Sequence, residues 1–418
     1  MNLKKSGFAM LILLASICLP LKSQQVNISG ESIFPGITGF GTDSRGGYGG
    51  RIIRVTTLSR DGAGSLAEAI KAEGARIIVF DVAGTINLAR RSLGIINPYI
   101  TIAGQTAPWP GITLVRGGIN IGTHDVIIQH LKIRPGEAGF EKKSGWEVDG
   151  ISTVGGAWNV IIDHCSLTWG TDENLSASGP QFEGKNPSEW RENTSHKIVF
   201  SNCIIAEALN NSTHSKGGHS KGTLIHDNVT DILIMNNLYA SNVERNPLFC
   251  GGVYGLIVNN YIYNPKEAAI HFALSPQEWG TREWIACRAG VIGNVIEFGP
   301  DTRKDLAAGT FRGPVSAFWD DNILNGGPEA REFSGDFTRL DKVPFWPSGL
   351  RTIPADSVRE YVLENAGAFP WRRDEIDQRI ISEVKEGLGR VINSEREVEG
   401  YPGITPVMRH SGTDEFPR

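Results

Sequence analysis

Short apolar cores recur along the chain, each closed by a polar or small turn residue and followed by a second apolar pair. Six segments align: DVIIQHLKI (125–133), NVIIDHCSL (159–167), KIVFSNCII (197–205), DILIMNNLY (231–239), YGLIVNNYI (254–262) and RAGVIGNVI (288–296). Their sixth position runs His130, His164, Asn202, Asn236, Asn259, Gly293, and their seventh runs Leu131, Cys165, Cys203, Asn237, Asn260, Asn294. Offsets of roughly 23–38 residues fall in the range of solenoid repeats, and the longer ones imply loops bulging from one side of a regular coil. Asn at matching turn positions tolerates left-handed backbone and can stack its amides from turn to turn. The pattern predicts an all-β chain wound as a parallel β-helix, in which each turn pairs with the next and free sheet edges survive only at the two ends. IIVFDVAGTINL (77–88) and YITIAGQTA (99–107) read as earlier turns.

The ends of such a coil need covers. Ser65-Leu66-Ala67-Glu68 matches a capping box opening a short amphipathic helix, SLAEAIKAEG, suited to plug the N-terminal end. After about residue 300 the repeat fades. Helical spacing then appears over Asp356–Ala366 (Val358, Tyr361, Val362) and Arg373–Leu388 (Ile376, Ile380, Ile381, Val384), helices expected to dock on the coil, with the Trp- and Pro-rich stretch 343–355 an ordered loop. Residues 1–23 read as an export signal: Lys4 and Lys5, an apolar run from Phe8 to Leu19, and a cleavage site near Leu21-Lys22-Ser23. The apolar run is too short to span a bilayer. The expected organisation is therefore signal 1–23 and a single domain 24–418, with the coil over about 50–300 and a C-terminal extension over about 301–418. A self-capped coil of this kind needs no partner subunit.

Composition refines this picture in two ways. The chain of 418 residues carries 50 glycines without a period of three, which excludes a collagen-like fibre and favours frequent turns. The formal charge of -5 becomes about -8 once Lys4, Lys5 and Lys22 are removed, so a polyanion would be repelled over much of the surface. An acidic ligand then requires a local basic cluster or a bridging cation. Of the four cysteines left, Cys165 and Cys203 repeat in register, which suits buried free thiols better than a disulfide.

Four groups of chemically capable residues sit near the ends of successive turns. They are Glu147 with Asp149, Asp172 with Glu173, Lys216 and Lys221 in THSKGGHSKG beside His214, His219 and His226, and Arg245 in ERNPLF. Clustered carboxylates suit a hard cation such as calcium, and Lys or Arg beside it would grip sugar carboxylates. Singly, each could be a solvated loop charge or a turn anchor; together, on adjacent turns, they form a candidate site.

At these residues the chain resembles the pectate lyase superfamily, through its IIDH strand, the R-x-P motif at Arg245, and FPGITGFG, RIIRVTTLSRDGAGSLAEAI, RIIVFDVAGTI and ITIAGQTAP in the N-terminal half. The resemblance covers roughly residues 34–300 and implies a right-handed parallel β-helix that cleaves polygalacturonate by calcium-assisted β-elimination. It implies Asp149 and Asp172 as calcium ligands, with Glu147 and Glu173 as further acids, Lys216 (or Lys221 in another register) on the substrate carboxylate, and Arg245 as the catalytic base. Ser176 stands where the pattern has a second acid, and Cys250 where it has a last arginine. Three alternatives stay open from the residues alone. One is a hydrolase using paired carboxylates; another is a non-catalytic carbohydrate-binding coil. The third is a lyase for methylated pectin, its cleft lined by Trp146, Trp158 and Trp169.

Overall fold

The computed structural model describes residues 38–403 and 406–409, so the export signal expected at 1–23 lies outside the described residues. Strands succeed one another in threes, one per sheet, building sheets of eleven, ten and nine strands. One full turn shows the plan. Trp158–Asp163 lies in the eleven-stranded sheet, Ser166–Thr168 in the ten-stranded and Glu173–Ala177 in the nine-stranded. Each pairs in parallel with its counterpart one turn away, as Ile162 does with Ile128 and Phe200. This is a parallel β-helix.

The six aligned segments each form two strands joined by a single bend. The bend residue is the sixth position, and all six carry positive φ, between 47° at His164 and 66° at Gly293. Asn tolerates that conformation best among residues with a side chain, which explains its recurrence there. The seventh position has a different task. Asn237, Asn260 and Asn294, all buried, and the partly exposed Asn322 form a ladder in which each side-chain amide donates to the next side-chain oxygen, at 3.0, 3.0 and 2.9 Å. Asn237, Asn260 and Asn294 also donate to backbone carbonyls one turn back. The ladder satisfies polar backbone that the bend removes from the sheet.

Inside the coil like side chains stack on like. Ile78, Ile102, Ile128, Ile162, Phe200, Ile234, Ile257 and Val291 lie in register through successive turns, all fully buried. The outer face of the same sheet is also covered. Ile127, Ile161, Val199, Leu233 and Leu256 pack under Phe40, Val343, Phe345 and Leu350. Burial on both faces is why these strands read as continuous apolar runs rather than alternating ones.

The coil extends past the expected boundary near residue 300. Strands Ala307–Arg312, Val315–Asp320, Ile323–Asn325, Arg331–Ser334 and Thr338–Arg339 continue all three sheets. Here the outward positions Ser316, Phe318 and Asp320 are no longer buried, so the apolar run gives way to alternation and the repeat is harder to see. The caps follow expectation more closely. Helix Leu66–Lys71 is capped by the Ser65 hydroxyl, which accepts from the Glu68 amide at 3.2 Å, while the Ser65 amide bonds to Gly62 instead of to Glu68. Helices Ala355–Asn365 and Glu375–Glu386 lay Val358, Val362, Leu363, Ile380, Ile381 and Val384 on the ten-stranded sheet, against Ile204, Leu238, Tyr261 and Tyr263. Cys165, Cys203 and Cys287 are buried free thiols, and Cys250 is a partly exposed one. Among the described residues no helix is long and apolar enough to cross a membrane.

Two buried groups at the bends set an acid limit on this fold. His130, stacked on His164 at 5.0 Å and bonded to the Ala368 carbonyl at 2.6 Å, is pushed down to about 4, by burial first and by His164 second. Burial opposes ionisation of Asp163, but hydrogen bonds from His164, Asn202 and Ser201 outweigh it and hold the carboxyl at about 2. Both values lie below those of the unfolded chain, so both contributions exist at neutral pH and fade on acidification. The His130 contribution fades between about pH 6.5 and 4, at a cost of about 3 kcal/mol. That of Asp163 fades between about pH 4 and 2. Denaturant titrations at pH 7 and pH 4 check this: His130→Asn, which keeps a side chain suited to the bend, should shrink the acid-induced loss by about 3 kcal/mol.

Candidate active site

The connections that lead from the ten-stranded to the nine-stranded sheet carry most of the candidates. Residues 135–150 bring Glu147 and Asp149, 169–172 bring Asp172, 207–220 bring His214, Lys216 and His219, and 241–247 bring Arg245. Glu173 and Lys221 open the following strands and pair with one another in register. Residues far apart in the chain thus share one edge of one sheet because each occupies the same station of a different turn.

A second asparagine ladder fixes these stations. Asn174 accepts from the Gly170 amide at 2.8 Å and donates to the Ala206 carbonyl at 2.9 Å. Asn242 accepts from the Ala208 amide and donates to Ile205, and on to Asn246 at 3.1 Å. Both side chains are buried at the bends beside Glu173 and Arg245. Backbone bonds from Gly222 to Glu244 and from Thr223 to Arg245 then seat Arg245 one turn beyond Lys221.

Oxygens of Asp149, Asp172 and Glu173 lie within 4.8 Å of one another. Asp149 accepts from the Glu173 amide at 3.0 Å and from the Ser176 hydroxyl at 2.5 Å. Burial and the facing Asp172 push its carboxyl up to about 7. Burial also works against ionisation of Asp172, yet His219, bonded to it at 2.7 Å, with His214 and Arg245, holds it below the ordinary carboxylate range. His214 stacks on His219 with ring centres 3.6 Å apart and lies 3.6 Å from the same oxygen. Arg245 pairs with Glu173 through Nη1. Its guanidinium is pushed below its usual value by burial, against the pull of Cys250, Asp172, Asp149 and Glu278.

Not every candidate joins this cluster. Glu147 is drawn off to Ser215, accepting from its amide at 2.9 Å and its hydroxyl at 2.5 Å, and those bonds hold it below the usual range. Lys216 is exposed on the loop that carries the two histidines, its amide bonded to His214 at 3.1 Å. Lys221 is the lysine that lies beside Glu173, its ammonium paired with Glu244. Of the two registers that the resemblance allows, Lys221 is thus the one beside the acids, because loop 207–220 carries Lys216 away from the sheet edge. Of the three tryptophans suggested as a cleft lining, Trp169 is fully buried and bonded to Glu207 at 3.1 Å, and Trp158 belongs to the eleven-stranded sheet. Trp146 stacks on Phe140. Glu244 gave no sequence signal at all; its role in holding Lys221 emerges only from the pairing of turns.

Three carboxylates, a lysine and an arginine thus gather along one edge of the coil, and oxygen ligands of this kind are those that hard cations take. The sequence of a protein of Emericella nidulans named "Probable pectate lyase C" is 33% identical over 369 residues, spanning 84% of this chain and 75% of that protein. The chain belongs to the pectate lyase family. A protein of the same name from Aspergillus terreus is 32% identical over 392 residues, covering 90% of this chain and 83% of its own length. No family model matches the chain. Among solved structures, the cedar pollen allergen jun a 1 superposes with a TM-score of 0.58 at 16% identity, over 79% of this chain and 92% of that one. Pectate lyase Bsp165PelA from Bacillus sp. N165, in complex with trigalacturonate, gives 0.52 at 15% identity, over 79% and 98%. At such identities the superpositions speak for the fold. Against the family pattern, Ser176 and Cys250 remain departures. The hydroxyl of Ser176 serves Asp149 in place of a further carboxylate.

Proposed function

We propose that this chain cleaves polygalacturonate-type acidic polysaccharide by β-elimination in the groove along the nine-stranded sheet, after export directed by residues 1–23. The observation that carries this reading is the meeting of Asp149, Asp172 and Glu173 with Arg245 at one sheet edge.

The donor set fits calcium. It is all oxygen, and burial together with the facing Asp172 pushes Asp149 up to about 7, a cost of ionisation that a bound cation relieves. Calcium held by Asp149, Asp172 and Glu173, with Glu147 at the margin, would draw electron density from the substrate carboxylate and acidify the adjacent C5 proton. Lys221 is suited to the same carboxylate, as a point charge released from Glu244. Arg245 is the base. A guanidinium normally stays protonated, and burial is the force that lowers this one. His214 and His219 keep Asp172 ionised and in place.

Product chemistry tests the proposal. Polygalacturonate should yield unsaturated uronides, read by ultraviolet absorbance, in calcium, and the rate should fall to background with chelator. Methylated pectin should be the poorer substrate, since esterification removes the carboxylate that calcium and Lys221 grip. Saturated products alone would point to a hydrolase; activity on esterified pectin that survives chelation would point to a pectin lyase.

A further inference from the structure

The nine-stranded sheet has a second station that the reading above leaves idle. At the far end of strand Lys221–Ile225 stand His226 and Asp227. Asp227 is fully buried, and no Lys or Arg pairs with it among the described ion pairs. One oxygen accepts from the Trp279 indole at 2.6 Å, and the other lies 2.9 Å from His226 Nδ1. Trp279 is itself fully buried, wedged against Phe182 and Trp190. The carboxylate is thus fixed from two sides, and it fixes the imidazole.

Nδ1 is held by the Asp227 carboxylate and, at 2.9 Å, by the Asp227 amide that donates to it, so Nε2 is the nitrogen that can pass a proton to a ligand. It faces Gln181 at 3.0 Å and Glu278 at 4.0 Å, and the side chain is 18% exposed. A carboxamide offers an NH or an oxygen by turning over, so Gln181 can partner either protonation state. Beside this dyad stands Cys250, whose Sγ is within 4.8 Å of donor atoms of both His226 and Asp227. The Cys250 amide bonds to the Ile225 carbonyl and the Thr223 amide to the Arg245 carbonyl, so the dyad and Arg245 sit on adjoining turns of the coil. Where the family pattern has a second arginine, this chain has a small thiol that burial keeps neutral.

Elimination creates a proton deficit on one side that Arg245 cannot fill. The remaining groove residues are committed: Asp149, Asp172 and Glu173 to the cation, His214 and His219 to Asp172, and Lys221 to Glu244 or the substrate carboxylate. We infer that His226, oriented by Asp227, is the proton donor to the departing C4 oxygen, an inference that rests on the elimination reading above. The C5 proton passes to Arg245, and the C5–H electron pair becomes the C4=C5 double bond. The C4–O4 bond breaks with its pair on oxygen, which takes the proton from Nε2. Water then reprotonates His226. The ionisable groups that face His226 are Asp227, Glu278 and the Cys250 thiol.

The test is the pH profile of kcat on polygalacturonate in saturating calcium, for wild type, His226→Gln and Asp227→Asn, with thermal melts as the folding control. His226→Gln should lower kcat by about a hundred-fold or more, with KM within threefold, and should abolish the alkaline limb of the profile. Asp227→Asn should lower kcat and shift that limb. Wild type alone also decides. A kcat that rises without an alkaline limb until the fold fails overturns the assignment, even if both variants misfold. So does a His226→Gln enzyme with kcat within twofold of wild type, a change in KM alone, loss of the acid limb instead, or a stoichiometric transition metal bound through Cys250. Arg245→Lys is assayed in parallel. If it is impaired while His226→Gln is not, only the donor assignment fails; if both keep full rate, the elimination reading fails with it.

Discussion

Arg245→Ala should lower kcat for unsaturated product from polygalacturonate on the order of a thousand-fold, with KM changed little. The reasoning is local. Arg245 enters the groove from a bend fixed by Asn242 and Asn246, and its guanidinium meets Glu173 at the edge of the carboxylate cluster. Removing it leaves the substrate grip of Lys221 and the cation intact but takes away the acceptor for the C5 proton. Arg245→Lys should recover little, since an ammonium on a different stem reaches neither the same point nor the same geometry. The variant should still fold, because the side chain is 21% exposed and Glu173, which loses its partner, keeps Lys221 beside it in register. Steady-state rates in saturating calcium are the check; an Arg245→Ala enzyme at full rate would make the catalytic assignment wrong.

Arg134→Met should cost about 3–5 kcal/mol of stability and loosen the C-terminal helices from the coil. Arg134 is fully buried under them. It bonds Asp374 at 2.9 and 3.1 Å and Asp377 at 2.8 Å, while Lys132 reaches Asp374 at 3.0 Å. Asp374 also caps helix Glu375–Glu386, so the charge cluster sets where that helix begins. Burial and the neighbouring Asp374 already push Asp377 above its ordinary value, so removing the guanidinium leaves a buried acid without its main counter-charge. Denaturant unfolding measures the cost, and limited proteolysis between residues 340 and 375 reads the detachment. Adding Asp374→Asn, Asp377→Asn and Lys132→Met should restore much of the loss, as removing a whole buried charge group is far less costly than removing half of it. A cost below about 1 kcal/mol would mean that apolar contacts alone hold the helices.

Much of this was readable before any coordinates. The sixth and seventh positions of the repeat specify the bend and the ladder, and a parallel coil leaves little other use for them. The same signature recurs at Asp321, with φ of 50°, and Asn322, but the aliphatic run before it has become VSAFWD as the sheet's outer face opens to solvent, so the coil reads as ending too early. The acids and Arg245 were legible as a set because they repeat at the same station. The choice between Lys216 and Lys221 was not, since it depends on which residue resumes strand pairing after loop 207–220, and spacing carries no such information. Glu244, the His214–His219 stack on Asp172 and the clamp of Trp279 on Asp227 are contacts between turns or with a distant helix. Nothing local in sequence marks them.

The most direct measurement is a crystal structure of the Arg245→Ala protein soaked with calcium and an oligogalacturonate. The expected result is an ion among Asp149, Asp172 and Glu173 and a sugar chain lying across the nine-stranded sheet, with one carboxylate reaching Lys221. A sugar bound on another face of the coil, or an ion held away from those three acids, would contradict it.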